Sequence, residues 1–153
     1  FEFTPSNIKV MEKNIALNNA KNIKIIPKAI FDVSNEVYYL VDKGASSFFT
    51  KETTSEATQI LTISIDDFAN QQNVSKIDFI KLDIEGSELN ALKGGVETIK
   101  KWKPTLAIAI YHHPIDFQEI IQFISELNLG YKFYIDHFTP SIAETIVFAA
   151  VED

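Results

Sequence analysis

Two acids one residue apart, in the run Asp83-Ile84-Glu85-Gly86, follow an apolar stretch. Carboxylates at the end of a buried strand must be solvated by a ligand, a cation or the free N–H groups of a following helix. Gly86 lets another backbone approach closely at that point. A histidine pair, His112-His113, follows a second apolar stretch, and an imidazole can take a proton at neutral pH. Of two neighbouring histidines in such a place, one is expected to face inward and the other outward. Glu2 is a third acid at the end of a strand-like segment, directly before a helix. Such a carboxylate can accept hydrogen bonds from both hydroxyls of a ribose, or it can simply face the positive end of the helix. Plain structural roles stand beside the others too: Asp83 capping a helix, Glu85 facing solvent, either histidine bonded to a loop carbonyl. His137 has a weaker case.

Other short motifs say less. Gly44-Ala45-Ser46-Ser47 is either a small-residue loop that closes over a ligand or a turn in a surface hairpin, and the turn is favoured. Gly94-Gly95 lies inside an apolar helical pattern and marks a bend or tight packing. No G-x-G-x-x-G and no P-loop occurs in the chain. Asp83 and Glu85 with His112 could hold a metal, but no spacing here is diagnostic of one, and no metal site is assigned.

These residues need elements to position them. Thr4 and Pro5 open a helix, with Thr4 as cap, Pro5 at its first position and Ile8, Met11 and Ile15 on one face; it ends near Asn18-Asn19. A β-branched run at 23–26, Pro27, and then 29–32 read as a bent strand that points Asp32 out of its far end. Strand-like pieces follow at 37–41 and 60–65, the second with an alternation suited to one wet face. A short helix or turn spans 66–70. The run 77–84 is a strand, Ser87 begins a helix with Leu89, Leu92, Val96 and Ile99 on one face, and 105–111 is a central strand covered on both sides. Phe117, Ile120, Ile121, Ile124 and Leu127 make the next helix stripe, Gly130 ends it, and strands at 131–136 and 144–151 close the chain. This alternation predicts a mostly parallel sheet with helices on both faces, to which the two consecutive strands at the end add an antiparallel one. Ligands in such sheets lie beyond the carboxyl ends of the strands, where Glu2, Asp32, Asp83 to Gly86, Tyr111 to His113 and Asp136-His137 stand.

Composition narrows the classes. With 153 residues, 46% apolar and 23% charged, one globular domain is expected, rather than disorder or a membrane span. The absence of cysteine removes disulfides, thiolate zinc sites and thiol nucleophiles. A net charge of −7 and a pI near 4.9 argue against nucleic-acid binding. No signal peptide opens the chain, and the bland expectation is a cytoplasmic protein. The first residue is Phe1 rather than Met, and the chain reads as starting inside a fold.

Taken together, Phe1-Glu2-Phe3-Thr4-Pro5, Ala29-Ile30-Phe31-Asp32, Gly44-Ala45-Ser46-Ser47, the run Lys81-Leu82-Asp83-Ile84-Glu85-Gly86-Ser87-Glu88, Ala91-Leu92-Lys93-Gly94-Gly95 and Tyr111-His112-His113-Pro114 resemble the FkbM-type methyltransferases. The resemblance covers essentially the whole chain. It implies an S-adenosylmethionine-dependent O-methyltransferase with a Rossmann-like sheet, mostly parallel with an antiparallel carboxyl-terminal strand, in three α/β/α layers, as one domain over residues 1–153. In that fold a first strand and a glycine-rich cofactor turn come before the segment opened by Phe1, so the chain is expected to be its amino-terminally incomplete, carboxyl-terminal portion. By analogy Glu2 would hold the cofactor ribose, Phe31 and Asp32 would lie beside adenine, and Asp83 would sit near the methionine end. Ser46 and Ser47 would contact cofactor or substrate. His112 would orient or deprotonate the acceptor hydroxyl, with Asp83 at the catalytic centre and Glu85, Tyr111 and His113 lining the acceptor. The implied acceptor is a sugar, glycan or related metabolite, with neither nucleic acid nor membrane as partner. Pairing between copies would bury apolar faces left without a central strand. The alternatives are a metal-dependent hydrolase using Asp83, Glu85 and His112, or a non-catalytic Rossmann-like binding module.

Overall fold

The computed structural model describes residues 1–41, 48–51, 58–141 and 143–152. Ser46 and Ser47 lie outside the described residues. The chain divides into two compact units, Phe1–Ile63 and Ser64–Asp153.

In the first unit, helix α1 (Pro5–Leu17) starts with Pro5, whose missing N–H costs nothing at that position. Thr4 is extended, but its side chain makes no cap bond. The Glu2 carboxylate instead fixes the backbone that leads into the helix, its Oε1 accepting from the N–H groups of Phe3 and Thr4 at 2.7 and 2.8 Å. Ile8, Met11 and Ile15 are half-buried, as their spacing predicts, and Asn19 ends the helix at φ 50°. Strands β1 (Ala29–Ile30), β2 (Val37–Val41), β3 (Phe48–Thr50) and β4 (Thr58–Ile63) form a sheet in the order β1-β4-β2-β3. β1 runs parallel to β4, and β2 runs antiparallel to both β4 and β3. The segments 1–3 and 23–26 are not strands: the Glu2 N–H reaches the Ile26 carbonyl at 3.2 Å, and Pro27 ends the run. Ala29, Leu40 and Ile60 form the buried cluster, with Phe3 against it.

The expected alternation holds at Ile63 and Ile65, which are buried, and fails at Leu61, Thr62 and Ser64. Thr62 is buried and Leu61 is 40% exposed. Thr62 tolerates burial because its hydroxyl donates to the Val33 carbonyl at 2.6 Å and accepts from the Glu36 N–H at 3.0 Å.

The second unit holds α2 (Ile65–Gln71), β5 (Phe79–Leu82), α3 (Glu88–Lys93), α4 (Val96–Trp102), β6 (Thr105–Ala109), α5 (Asp116–Glu126), β7 (Lys132–His137) and β8 (Thr145–Ala150). Its sheet order is β5-β6-β8-β7. β5 and β6 are parallel, and β8 lies antiparallel between β6 and β7, so that three strands share one direction. β6 is buried on both faces, as a continuous apolar run predicts. Over both sheets only two of the six pairings are parallel. The described sheets are therefore mixed. The excess of antiparallel pairs comes from β2, which pairs antiparallel with β3 on one side and β4 on the other, and from β8 between β6 and β7.

The helix predicted from Ser87 is two helices. Gly94 and Gly95 separate α3 from α4, and a Cβ on Gly95 would stand 3.1 Å from Ile65 Cδ1, so the pair marks tight packing against α2. Asp66 of α2 accepts from the N–H groups of Glu97 and Thr98 at 3.1 and 2.7 Å, capping α4 from across the contact.

Candidate active site

At the carboxyl end of β5 the chain turns through Asp83, Ile84, Glu85 and Gly86 into α3. Glu85 and Gly86 both lie in the left-handed region, at φ 57° and 92°. The turn reverses direction at once, and Glu88, the first residue of α3, points back to accept from the Ile84 N–H at 2.7 Å. β6 ends alongside, delivering Tyr111 and His112. His112 is the inward member of its pair, with a side chain only 10% exposed. Its ring lies against Tyr111, with centroids 4.2 Å apart. His113 is exposed, and its ring covers Gly86: a Cβ at residue 86 would overlap Nε2 and stand 3.0 Å from Cδ2. Buried Asp116 fixes the following turn, accepting from the His113 N–H at 2.8 Å.

Three carboxyl groups surround the His112 ring. Nδ1 is 3.1 Å from Glu88 Oε1, and Nε2 is 3.5 Å from Glu85 Oε2 and 3.8 Å from Asp83 Oδ1. None of these contacts has hydrogen-bond direction, and both ring nitrogens lack a hydrogen-bond partner, as does Oε2 of the fully buried Glu88. Asp83 is otherwise engaged, with Lys81 Nζ 3.0 Å from Oδ2 and the Tyr111 hydroxyl donating to Oδ1 at 3.0 Å. Burial pushes the Asp83 pKa up, but these two hydrogen bonds and the Lys81 charge outweigh it and hold the group below its usual value. An open pocket lined by Ile110, Tyr111, His112, His113, Phe117 and Thr145 lies against the cluster.

The structure thus brings together Asp83, Glu85, Tyr111, His112 and His113, as the strand-end argument predicts. It adds Glu88, which the sequence reading placed on no site. The missed signal is its register: residues 88, 91, 92, 95 and 99 share a helical stripe, and an acid in an apolar stripe needs a buried partner.

Tyr111 offers a check. Burial, and then its bond to Asp83, push the phenol up to about 12, and burial does the same for Tyr131. The folded state keeps these protons after the unfolded chain has lost them, so stability should fall as pH rises from about 10 towards 12. In a phenolate absorbance titration, Tyr111→Phe and Tyr131→Phe should each remove a share of the step near pH 12. A step left unchanged by both would refute the burial argument.

His137 stands on β7 with its Nδ1 2.8 Å from the Thr145 hydroxyl, beside Asp136, and the other described candidates lie in the first unit. Glu2 Oε2 accepts from Asn7 Nδ2 at 3.0 Å, in addition to the two backbone bonds to Oε1. Burial acts to raise its pKa, but the bonds from Thr4, Asn7 and Phe3 hold it below the usual carboxylate value. The Phe31 ring packs at 5.3 Å from Tyr38, and Asp32 is exposed beside it.

The methyltransferase FkbM domain matches residues 1–133. Among solved structures, the crystal structure of methyltransferase FkbM from Methylobacillus flagellatus KT is similar, with a TM-score of 0.72 and 24% identity over 95% of this chain and 34% of that one. The chain therefore spans about a third of the length of that relative. A comparison with curated proteins found no match. No helix among the described residues is long and apolar enough to cross a membrane.

Proposed function

The chain belongs to the FkbM methyltransferase family, and from that premise we propose that it carries the acceptor site and ribose carboxylate of an S-adenosylmethionine-dependent O-methyltransferase. The proposed acceptor is a hydroxyl of a sugar, glycan or related metabolite. One observation carries the reading: an imidazole nine-tenths buried at the carboxyl end of a strand, with neither nitrogen hydrogen-bonded, facing a pocket. Such a group is held ready for a polar hydrogen that the fold itself does not supply.

The donor set fits the cofactor that the family implies. A carboxylate offers about four lone pairs, and Glu2 uses three of them on Phe3, Thr4 and Asn7. The Thr4 side chain also acts on the carboxylate, and the two ribose hydroxyls would take the places of the Asn7 amide and the Thr4 hydroxyl. Phe31 and Asp32 would stand beside the adenine. When bound, the sulfonium supplies an electrophilic methyl carbon. The chain's own part is to hold the acceptor oxygen and its proton. His112 Nε2 accepts that proton, and Asp83, kept ionised by Lys81 and Tyr111, favours the imidazolium that results. His113 and Phe117 wall the acceptor pocket, and burial of His112 excludes water from the reacting oxygen.

Calorimetric titration with S-adenosylmethionine and with S-adenosylhomocysteine tests the reading. Glu2→Ala should weaken both by about 10–100-fold, the equivalent of one or two hydrogen bonds to a charged group. His112→Ala should leave both affinities unchanged. Equal affinity in wild type and Glu2→Ala would remove the ribose assignment.

A further inference from the structure

We propose that Asp83, Glu88 and His112 bind a divalent cation of the manganese or magnesium class. Each residue offers one donor atom, and the three donors lie within 4.8 Å of one another. Donors facing each other across an ion with bonds of about 2.2 Å stand at most about 4.4 Å apart, so closing the set takes only a small side-chain movement. The three come from separate places, the end of β5, the start of α3 and the end of β6, and the sheet and the Gly86 turn hold them facing inward.

A second observation, independent of this clustering, points to a ligand. Oε2 of Glu88 has no hydrogen-bond partner although the residue is fully buried, and neither do the two nitrogens of His112. Buried polar atoms of this kind are ordinarily satisfied, and here three of them lie together. An imidazolium–carboxylate pair would show at least one contact aligned as a hydrogen bond. The 3.1 Å contact at Nδ1 and the 3.5 and 3.8 Å contacts at Nε2 have none, and one ring nitrogen, one oxygen of Asp83 and one of Glu88 make up the donor set.

The ligand chemistry selects the ion. Two carboxylates and one imidazole, in a chain without cysteine, suit a borderline-hard cation that keeps several open positions for water. Glu85, whose carboxyl is 87% exposed and 3.5 Å from Nε2, can swing in as a further ligand. The inference rests on the proposed methyl transfer for one point only, the identity of the oxygen that takes an open position. In the loaded protein His112 serves as a ligand. An acceptor hydroxyl in an open position of the ion would become more acidic and would lose its proton to Glu85 and then to water, so proton transfer to His112 Nε2 is the route of the protein without the ion.

Cation binding can be read without cofactor or acceptor, so its failure is distinct from failure of the methyltransferase reading. Mn²⁺ alone is titrated into the 153-residue chain and followed by loss of the free-ion paramagnetic resonance signal. One bound ion per chain is expected. Glu88→Gln, which keeps an acceptor for the Ile84 N–H, and Asp83→Asn should each weaken binding about tenfold or more. As a measurement that needs no variant, sub-stoichiometric Mn²⁺ should broaden the ring proton resonances of His112 before those of His137. No binding at about 1 mM Mn²⁺, equal binding by wild type and both variants, or broadening that begins elsewhere would each overturn the proposal.

Discussion

Replacing His112 by alanine is expected to lower methyl transfer by about 10²–10⁴-fold, the usual contribution of a positioned proton acceptor, while S-adenosylmethionine affinity stays within about twofold. The split follows from where the ring sits. It is held by the end of β6, faces Asp83, Glu85 and Glu88, and lines the pocket proposed for the acceptor. The measurement is release of S-adenosylhomocysteine with the sugar acceptor that wild type turns over fastest, beside calorimetry with the cofactor. Added imidazole should restore part of the lost rate by occupying the space left by the ring. Restoration by millimolar Mn²⁺ instead would show that the ring's main task is to hold the cation. Unchanged turnover, or a loss of affinity as large as the loss of rate, would place His112 outside the reacting centre.

The second large effect is expected at Gly86. Its φ of 92° is one that residues with a Cβ rarely adopt, and a Cβ there would also overlap the His113 ring. Gly86→Ala should therefore destabilise the fold by about 1–3 kcal/mol, a fall of about 2–12 °C in Tm for a chain of this size. Two causes act at once, and a double substitution separates them. Gly86→Ala with His113→Ala removes the overlap but not the backbone strain, so it should recover only part of the loss. Full recovery would show that the strain is negligible, and a single variant as stable as wild type would refute both causes. The turn that Gly86 allows is also what brings Glu88 back under His112. The single variant should therefore lose Mn²⁺ affinity by more than the drop in stability alone would require.

Much of this site was legible because strand ends are legible. The continuous apolar run at β6 and the Asp83-Ile84-Glu85-Gly86 signal mark two neighbouring strand termini, and a parallel pair must bring those termini together. The register within α3 was harder. Leu89 and Val96 fit an unbroken helical face, but the buried face is the one shared by 88, 91, 92, 95 and 99, which leaves Leu89 and Val96 half-buried, and the helix breaks at Gly94-Gly95. Close contact with Ile65 decides that break, and a side chain 30 residues distant in sequence leaves no trace in a local pattern. Thr62 is a similar case. An alternation rule sends a threonine outward, whereas the Val33 carbonyl and Glu36 N–H make its inward position favourable. At Glu2 a ribose and a helix terminus ask for the same residue type, and in the structure two of its bonds go to the backbone just before the helix.

The placement of β8 between β6 and β7 has a consequence for synthesis. β7 leaves the ribosome before β8, yet its pairing in the sheet is with β8. Until residues 145–150 emerge, one edge of β6 is bare and β7 has no place to dock. At about 5–20 residues per second, the nascent chain must carry that unfinished sheet while β8 is still inside the exit tunnel. The sheet of this unit is therefore completed late, and a chaperone that shields apolar strand edges would act in that interval.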